Sequence, residues 1–454
     1  MAEESNGLPQ FVAPEPASRP GSEPSGGSGS EPTRPAPSVS RRGLFAGAAG
    51  TAVAGAAVGV GVTAGVMGHQ ERGAASQPGA SGTDTVDLTR SLPFYDQAHQ
   101  AGIRTPPQRH CVYMTFNLTK DATRQSLQVL LARWSAAISQ LVQGKPIGPI
   151  EPSRPDAVGT DTGEANGLAP ASLTITVGLG PGVFDDRFGL ESKRPALLAE
   201  LPRIPSDVLQ PELTGGDLSI QACADDPQVA YHAVRNLARM VTSTAQTHWV
   251  VLGFGRASAG PGQETPRNLM GFKDGTRNVS TEADYEQFVW LKDADWMTGG
   301  TYQVARKIMM TIETWDFDRT SDQQQIFGRT KHEGAPLTGQ KEFDVPDFTL
   351  RADGGQHVID QSSHIALVAP ENNAGVKILR RSYNFTDGLN AQGLLDAGLL
   401  FLSYQNVPQH FVDLQNKLGR FDLLNEYIRH VGSAIFAVPP APRSGRYIGQ
   451  ELFE

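Results

Sequence analysis

The sequence predicts an α+β protein made of two ferredoxin-like domains with antiparallel sheets. Three observations lead there. From His110 to Gly255 the hydrophobic pattern runs strand, helix, strand, strand, helix, strand, which is the split βαβ unit. The same order can be read again from Tyr302 to Val438. The length of 454 residues, 39% hydrophobic and 19% charged, suits two ordinary domains at roughly 100–200 residues each.

In the first half, His110–Leu118 alternates apolar residues as a strand does. Ala122–Val142 has helical spacing, with Leu127, Leu130, Leu131, Trp134 and Ile138 on one side. Leu173–Gly178 and Asp217–Cys223 are strands separated by turn-forming residues. Pro227–Thr244 is a helix that Asp225-Asp226 can cap, and His248–Gly255 is an apolar strand. In the second half, Tyr302–Glu313 alternates and Trp315–Phe327 is helical. Ile378–Asn384 and Leu399–Gln405 are strands, Gln409–Leu418 a helix and Ser433–Val438 the last strand. Residues 328–373 have no place in this repeat, and long insertions in compact domains are often functional. The expected boundaries are 93–262 for the N-terminal domain and 263–454 for the C-terminal one.

The first 75 residues stand apart. Residues 1–39 are rich in Pro, Gly, Ser and Glu and cannot bury a core, so disorder is expected there. Ser40-Arg41-Arg42-Gly43-Leu44-Phe45 then precedes an Ala, Gly and Val run to about Gly68. A twin arginine before a moderately apolar segment is a Tat export signal. The run is long enough to span a bilayer as an uncleaved anchor, but Ala and Gly give it a weak insertion drive. Export, with cleavage, to the extracellular or cell-envelope space is the expectation, with the Tat machinery as partner and residues 76–92 as a linker. The Tat route carries folded proteins.

The charge of −9, from 39 basic and 48 acidic residues, argues against nucleic-acid binding. Two cysteines, Cys111 and Cys223, supply neither a disulfide framework nor a CxxC metal site. They could form one disulfide after export or stand as two core thiols. HExxH, P-loop and GxSxG motifs are absent. Gly178-Leu179-Gly180 and Gly253-Phe254-Gly255 are incomplete glycine-rich patterns, better read as turns at strand ends.

The segment Gly271-Phe272-Lys273-Asp274-Gly275-Thr276-Arg277-Asn278 brackets a carboxylate with glycines. Such a loop lets backbone approach a large planar ligand, although Lys-Asp-Gly alone is a common turn. Ser363-His364-Ile365 lies in the insertion and Leu379-Arg380-Arg381-Ser382-Tyr383 in the strand after it. Upstream stand Phe94-Tyr95, His99-Gln100-Ala101-Gly102-Ile103, Thr105-Pro106 and Gln108. Ile312–Asp316, Phe327–Arg329, Gly334–Leu337 and Gly398–Phe401 complete the order. With these motifs the chain, from about Pro93 to its end, resembles the dye-decolourising (DyP-type) haem peroxidases. The similarity is greatest to the Tat-exported branch that includes the deferrochelatases.

The resemblance implies two ferredoxin-like domains with one haem b in the C-terminal one. It implies His364 as the proximal iron ligand, with His357 the rival seven residues earlier, and Asp274 with Arg380 as the distal pair. Gly275, Thr276, Arg277, Ala369 and Pro370 are implied around the haem, and Leu399 and Phe401 on its apolar distal wall. The pattern is broken after the ligand: where this branch carries HIRLANPR, the chain has His364-Ile365-Ala366-Leu367-Val368-Ala369-Pro370-Glu371. That removes two arginines and an asparagine from the loop. Arg277, Arg306 and Arg329 are the candidates left to neutralise the haem propionates.

The implied reaction reduces hydrogen peroxide and oxidises an unidentified donor by single electrons. Asp274 would shuttle the peroxide proton, and Arg380 would stabilise charge on the departing oxygen. Release of iron from haem with intact protoporphyrin is the alternative within the family. A haem carrier without turnover is the alternative of another class, and it has no need of a distal acid–base pair. The sequence leaves open a homo-oligomer, the donor and any electron-transfer Tyr or Trp.

Overall fold

The computed structural model describes residues 86–255 and 265–454. The expected export signal and disordered segment lie outside the described residues, as does the linker up to residue 85. The N-terminal half runs β1 (His110–Leu118), α1 (Arg124–Leu141), β2 (Thr174–Leu179), β3 (Leu218–Ala224), α2 (Pro227–Arg239) and β4 (Ala245–Phe254). Helix α1 buries Leu127, Leu130, Leu131, Trp134 and Ile138, the face its spacing predicts. Thr123 caps it by accepting from the Ser126 N–H. Asp226 caps α2 through the N–H groups of Gln228 and Val229. The helix stops five residues before the expected Thr244, and the turn that follows carries Ser243 at φ 71°.

The C-terminal half contains α3 (Glu282–Phe288), β5 (Thr301–Met310), α4 (Ile312–Asp316), α5 (Thr320–Phe327) and α6 (His364–Val368). It ends with β6 (Leu379–Arg380), β7 (Tyr383–Leu389), β8 (Leu395–Gln405), α7 (Pro408–Phe421) and β9 (Ile428–Val438). Helix α3 was not foreseen. The strand expected over 378–384 is β6 and the start of β7, which pair with β8 in one register: Arg380 opposes Ser403 and Tyr383 opposes Leu400. Apart from α6 and a 3-10 turn at Pro370–Asn372, the insertion is turns and isolated bridges, and several of its residues line the cavity described below. No helix among the described residues is long and apolar enough to cross a membrane.

Within each half the strands take the same order, β2-β3-β1-β4 and β7-β8-β5-β9, all antiparallel. This is the ferredoxin-like arrangement. The two sheets then meet edge to edge. Gly253 and Phe254 on β4 pair with Phe385 and Asn384 on β7, and Leu179 on β2 pairs with Ala437 on β9. Both free edges of each sheet are thereby used up, and the eight strands form a closed barrel. The seams need small residues. A Cβ on Gly178 would stand 2.7 Å from the Phe436 Cβ across one seam, and a Cβ on Gly253 would stand 2.6 Å from the Tyr383 Cβ across the other. The two incomplete glycine patterns are therefore strand ends, as expected, and the glycines also permit the close approach that shuts the barrel.

Alternation along β8 separates two environments. Leu400 and Leu402 pack with Cys111, Tyr113, Cys223, Tyr383 and Phe436 inside the barrel. Leu399 and Phe401 face the opposite way, into a cavity under α6, α7 and the insertion.

Candidate functional site

The cavity has about 1660 Å³ of empty space including its open mouth. Its walls include Ile308, Met310, Leu399, Phe401 and Ile428, from three strands of the C-terminal sheet. Residues from most sequence motifs of the second half reach it, the Ile312–Asp316 motif excepted. Asp274, Gly275, Thr276 and Arg277 come from the glycine-bracketed loop, and His364, Ala369 and Pro370 from α6 and the turn after it. Arg380 comes from β6, and Leu399 and Phe401 from β8. His357 does not line the cavity; its Nδ1 bonds the Phe348 carbonyl at 3.0 Å. His364 is thus the histidine of the insertion that faces this space.

The loop that presents Asp274 is held by backbone geometry and by one buried acid. Gly271 and Gly275 have φ of 84° and 139°, and Arg277, between Thr276 and Asn278, has φ 59°. The left-handed conformation is costly for a residue with a Cβ, so the surroundings must impose it at Arg277. Glu342, 7% exposed, accepts hydrogen bonds from Thr265 Oγ1, Thr276 Oγ1 and Lys273 Nζ, tying the loop to the insertion. Burial pushes its carboxyl up, but the hydrogen bonds from Lys273, Thr265 and Thr276 outweigh that and hold it below its ordinary value.

Arg380 Nη1 lies 3.2 Å from Asp274 Oδ1, and Nη2 donates to the Thr276 carbonyl at 3.1 Å. Its peptide is gripped from both sides by one amide. Asn278 Oδ1 accepts from the Arg380 N–H at 2.9 Å, and Asn278 Nδ2 donates to the Arg380 carbonyl at 2.7 Å. Asn278 is within the motif read from sequence, but its clamping role depends on a strand a hundred residues away and left no local trace.

His364 opens α6; the other histidine lining the cavity, His430, is 3% exposed with its Nε2 against Gln415. The His364 Nδ1 bonds Asp422 Oδ2 at 2.7 Å, and Asp422 Oδ1 accepts from the Leu424 N–H at 2.9 Å. The Asp422 side chain is 2% exposed, so the imidazole is braced by a fixed carboxylate. With Nδ1 as donor to that carboxylate, Nε2 is left as the lone-pair nitrogen available to a metal. Asp422 was not foreseen.

Cations collect at one edge of the cavity. Arg277 forms an ion pair with Glu371, the residue that replaces an arginine of the expected loop pattern. Its guanidinium holds the Glu371 carboxyl below the usual range. Arg329 lines the cavity too and is 7% exposed. It donates to the carbonyls of Gly334 and Glu342. Burial first, then the nearby charge of Arg277, brings it down to about 10. Arg306, the third candidate for this role, is not at the cavity. It shares the β5 face of Ile308 and Met310 and opposes Phe401, but its guanidinium is buried against Asp207 and Ser433 instead of lining the cavity. The loop after His364 lacks the arginines of the expected pattern, while Arg277 and Arg329 both line the cavity.

Among the described residues, no three His, Cys, Asp or Glu side chains gather into a group that could hold a bare metal ion. The lining instead combines apolar walls, one imidazole nitrogen left free to ligate and arginines that could meet a negatively charged edge.

Comparison with known proteins agrees with the fold and the motif order. Residues 100–255 match the family description Dyp-type peroxidase, N-terminal, and residues 265–443 match Dyp-type peroxidase, C-terminal. The chain is 35% identical over 443 residues to a dye-decolorizing peroxidase of Thermobifida fusca, covering 93% of this chain and 99% of that one. It is also 35% identical to the deferrochelatase of Escherichia coli K12, covering 83% and 90% respectively. Among solved structures, the oxyferrous complex of DtpA from Streptomyces lividans superposes with a TM-score of 0.75 at 38% identity, covering 81% of this chain and 98% of that one. A DyP-type peroxidase from Streptomyces coelicolor gives 0.76 at 38% identity, covering 81% and 98%.

Proposed function

The chain belongs to the DyP-type peroxidase family, and on that footing we propose that it binds one haem b in the C-terminal cavity and reduces hydrogen peroxide. Organic donors would be oxidised one electron at a time. Enzymatic activity of this general class follows from the relatives; the haem, the residue roles and the direction of the chemistry are our reading.

The Asp274–Arg380 pair carries the proposal. A cavity meant only to hold a planar ligand has no use for a carboxylate and a guanidinium 3.2 Å apart on its wall. The residues also fit the group. His364, braced by Asp422, would supply a nitrogen ligand to the iron. Arg277 and Arg329 would face the propionates, and Leu399 and Phe401 would pack on the ring. When bound, haem supplies the redox chemistry that breaks the O–O bond. Asp274 accepts the proton from the inner peroxide oxygen and delivers it to the outer one. Arg380 stabilises the negative charge on the departing oxygen, and its hold by Asn278 and Thr276 means little reorganisation is needed as that charge grows. The Asp422 carboxylate fixes the His364 tautomer and raises the basicity of its other nitrogen.

The named deferrochelatase relatives favour a second reading of the same cavity, removal of iron from haem with intact protoporphyrin. One experiment separates the readings. The haem-loaded protein is mixed with peroxide and an organic donor, and donor oxidation is followed beside porphyrin fluorescence. Peroxide-dependent donor oxidation supports the peroxidase, and rising free-base fluorescence the deferrochelatase. Neither signal supports a carrier. We also propose export through Tat, on the twin arginine at Arg41-Arg42.

A further inference from the structure

The closed barrel encloses a polar cluster that the cavity chemistry above does not use. Cys111 on β1 and Cys223 on β3 are cross-strand partners, and both are buried free thiols. Antiparallel partners have Cα atoms about 4.5–5.5 Å apart, within the roughly 4.4–6.8 Å that a disulfide spans. The Tyr383 hydroxyl donates to Cys223 Sγ at 3.4 Å. Beside them lies Arg381, 2% exposed, which donates to the Thr105 carbonyl and to Gln108 Oε1, while its Nε has no hydrogen-bond partner. Its hydrogen-bond partners include no carboxylate. A buried cation without one is costly, and an aliphatic side chain would avoid that cost. Burial pushes the Cys223 thiol up, but the Cys111 thiol and the Arg381 charge outweigh it and bring Cys223 down to about 6. Cys111, under the same burial, is raised well above its ordinary value. Within the pair the thiolate is favoured at Cys223 and disfavoured at Cys111, so Cys223 is the sulfur that attacks as the two join.

This cluster is one sheet layer from the cavity. Tyr383 opposes Leu400 and Asn384 opposes Leu399 in the β7–β8 register. Leu399 faces the cavity, whereas Leu400 packs with Cys111, Cys223 and Tyr383. The adjacent arginines divide the same way, Arg380 toward the cavity and Arg381 toward the thiols.

We infer that Cys111 and Cys223 are an internal two-electron reserve that reduces the oxidised site when no donor is present and closes into a disulfide, with Tyr383 as the one-electron relay. The inference rests on the peroxidase reading. Peroxide takes up two electrons, its O–O bond breaks, and both oxygens leave as water. Each sulfur gives up one electron and the S–S bond forms. Tyr383 relays both electrons in turn, the first from Cys223 and the second from the sulfur pair once joined, and ends unchanged. The thiol proton of Cys111 and one proton from solvent, matching that already lost by Cys223, go to the water formed. One peroxide and two thiols thus give one disulfide and two waters.

The test uses the haem-loaded full chain, one equivalent of peroxide and no donor, followed by unfolding in alkylating reagent and mass spectrometry. Peroxide consumption is recorded in parallel. Alkylatable thiols should fall from two per chain to none, with a Cys111–Cys223 linked peptide. The haem-free protein and His364→Ala should keep both thiols. Tyr383→Phe should consume peroxide at the original rate yet form the disulfide more slowly. Peroxide consumed with both thiols still alkylatable overturns this inference alone, as does equal disulfide formation in haem-free protein. Peroxide left unconsumed takes the peroxidase reading down with it.

Discussion

Arg380 and Asp274, 106 positions apart in sequence, meet at 3.2 Å on one wall of the cavity, with the Arg380 peptide held by Asn278. The guanidinium is placed by backbone contacts, so its position does not depend on Asp274 alone. Replacing Asn278 with Ala removes both clamping bonds. Peroxide reactivity should fall by about tenfold, the effect of losing roughly 1.4 kcal/mol of positioning, while haem loading is unchanged. Asn278→Asp keeps one acceptor and should recover part of the loss. A wild-type rate in Asn278→Ala would show that the clamp is dispensable.

The proximal side gives a graded expectation. His364→Ala should leave haem loosely held or absent while the barrel still folds, and His357→Ala should keep the wild-type spectrum. Asp422→Asn retains the ligand but weakens its brace, with an expected loss of about 10–100-fold in haem affinity. Spectroscopic haem titration of the three variants measures this. Haem lost from His357→Ala and retained in His364→Ala would reverse the ligand assignment.

Glu342 links the Asp274 loop to the insertion, and its effect depends on pH. Its carboxyl is held below the ordinary value in the folded protein. The stability it contributes is therefore present above the unfolded-state pKa and is lost as pH falls through the folded one. Glu342→Gln should lower stability at neutral pH by about 1–3 kcal/mol and make acid unfolding less steep. Thermal melts from neutral pH down to about pH 3, below the ordinary carboxylate value, test this. Parallel pH profiles for variant and wild type would remove Glu342 from the account.

Export is tested outside the fold. Replacing Arg41 and Arg42 with Lys preserves charge but not the receptor-read signal, so the protein should accumulate inside the cell. Unchanged secretion of the double variant argues against a Tat route.

How much of this was legible follows from which contacts are local. Strand β1 could be read to the residue because one run of alternation has one explanation. Helix α2 was capped correctly by Asp226 but drawn too long, since apolar residues continue through the turn. His364, Asp274 and Arg380 stood out through the order of the motifs around them. Asp422, Glu342 and Asn278 did not, because each acts on a residue 58 or more positions away. Barrel closure was equally hidden: Gly178 and Gly253 look like ordinary turn residues until Phe436 and Tyr383 are seen packed against them.

In a peroxide-reducing haem site, Asp274 would move the proton and Arg380 would hold the developing charge. Stopped-flow mixing of haem-loaded Asp274→Asn and Arg380→Leu with peroxide tests that assignment most directly. Acid–base groups contribute about 10²–10⁴-fold, and a preorganised charge-stabilising donor about 10²–10³-fold. Both variants should load haem normally and react with peroxide slower by at least the lower of these factors. The Arg380 variant should be affected at least as strongly, because water can relay a proton but cannot replace a fixed cation. Near wild-type rates in both fully loaded variants would contradict the account and favour a haem carrier.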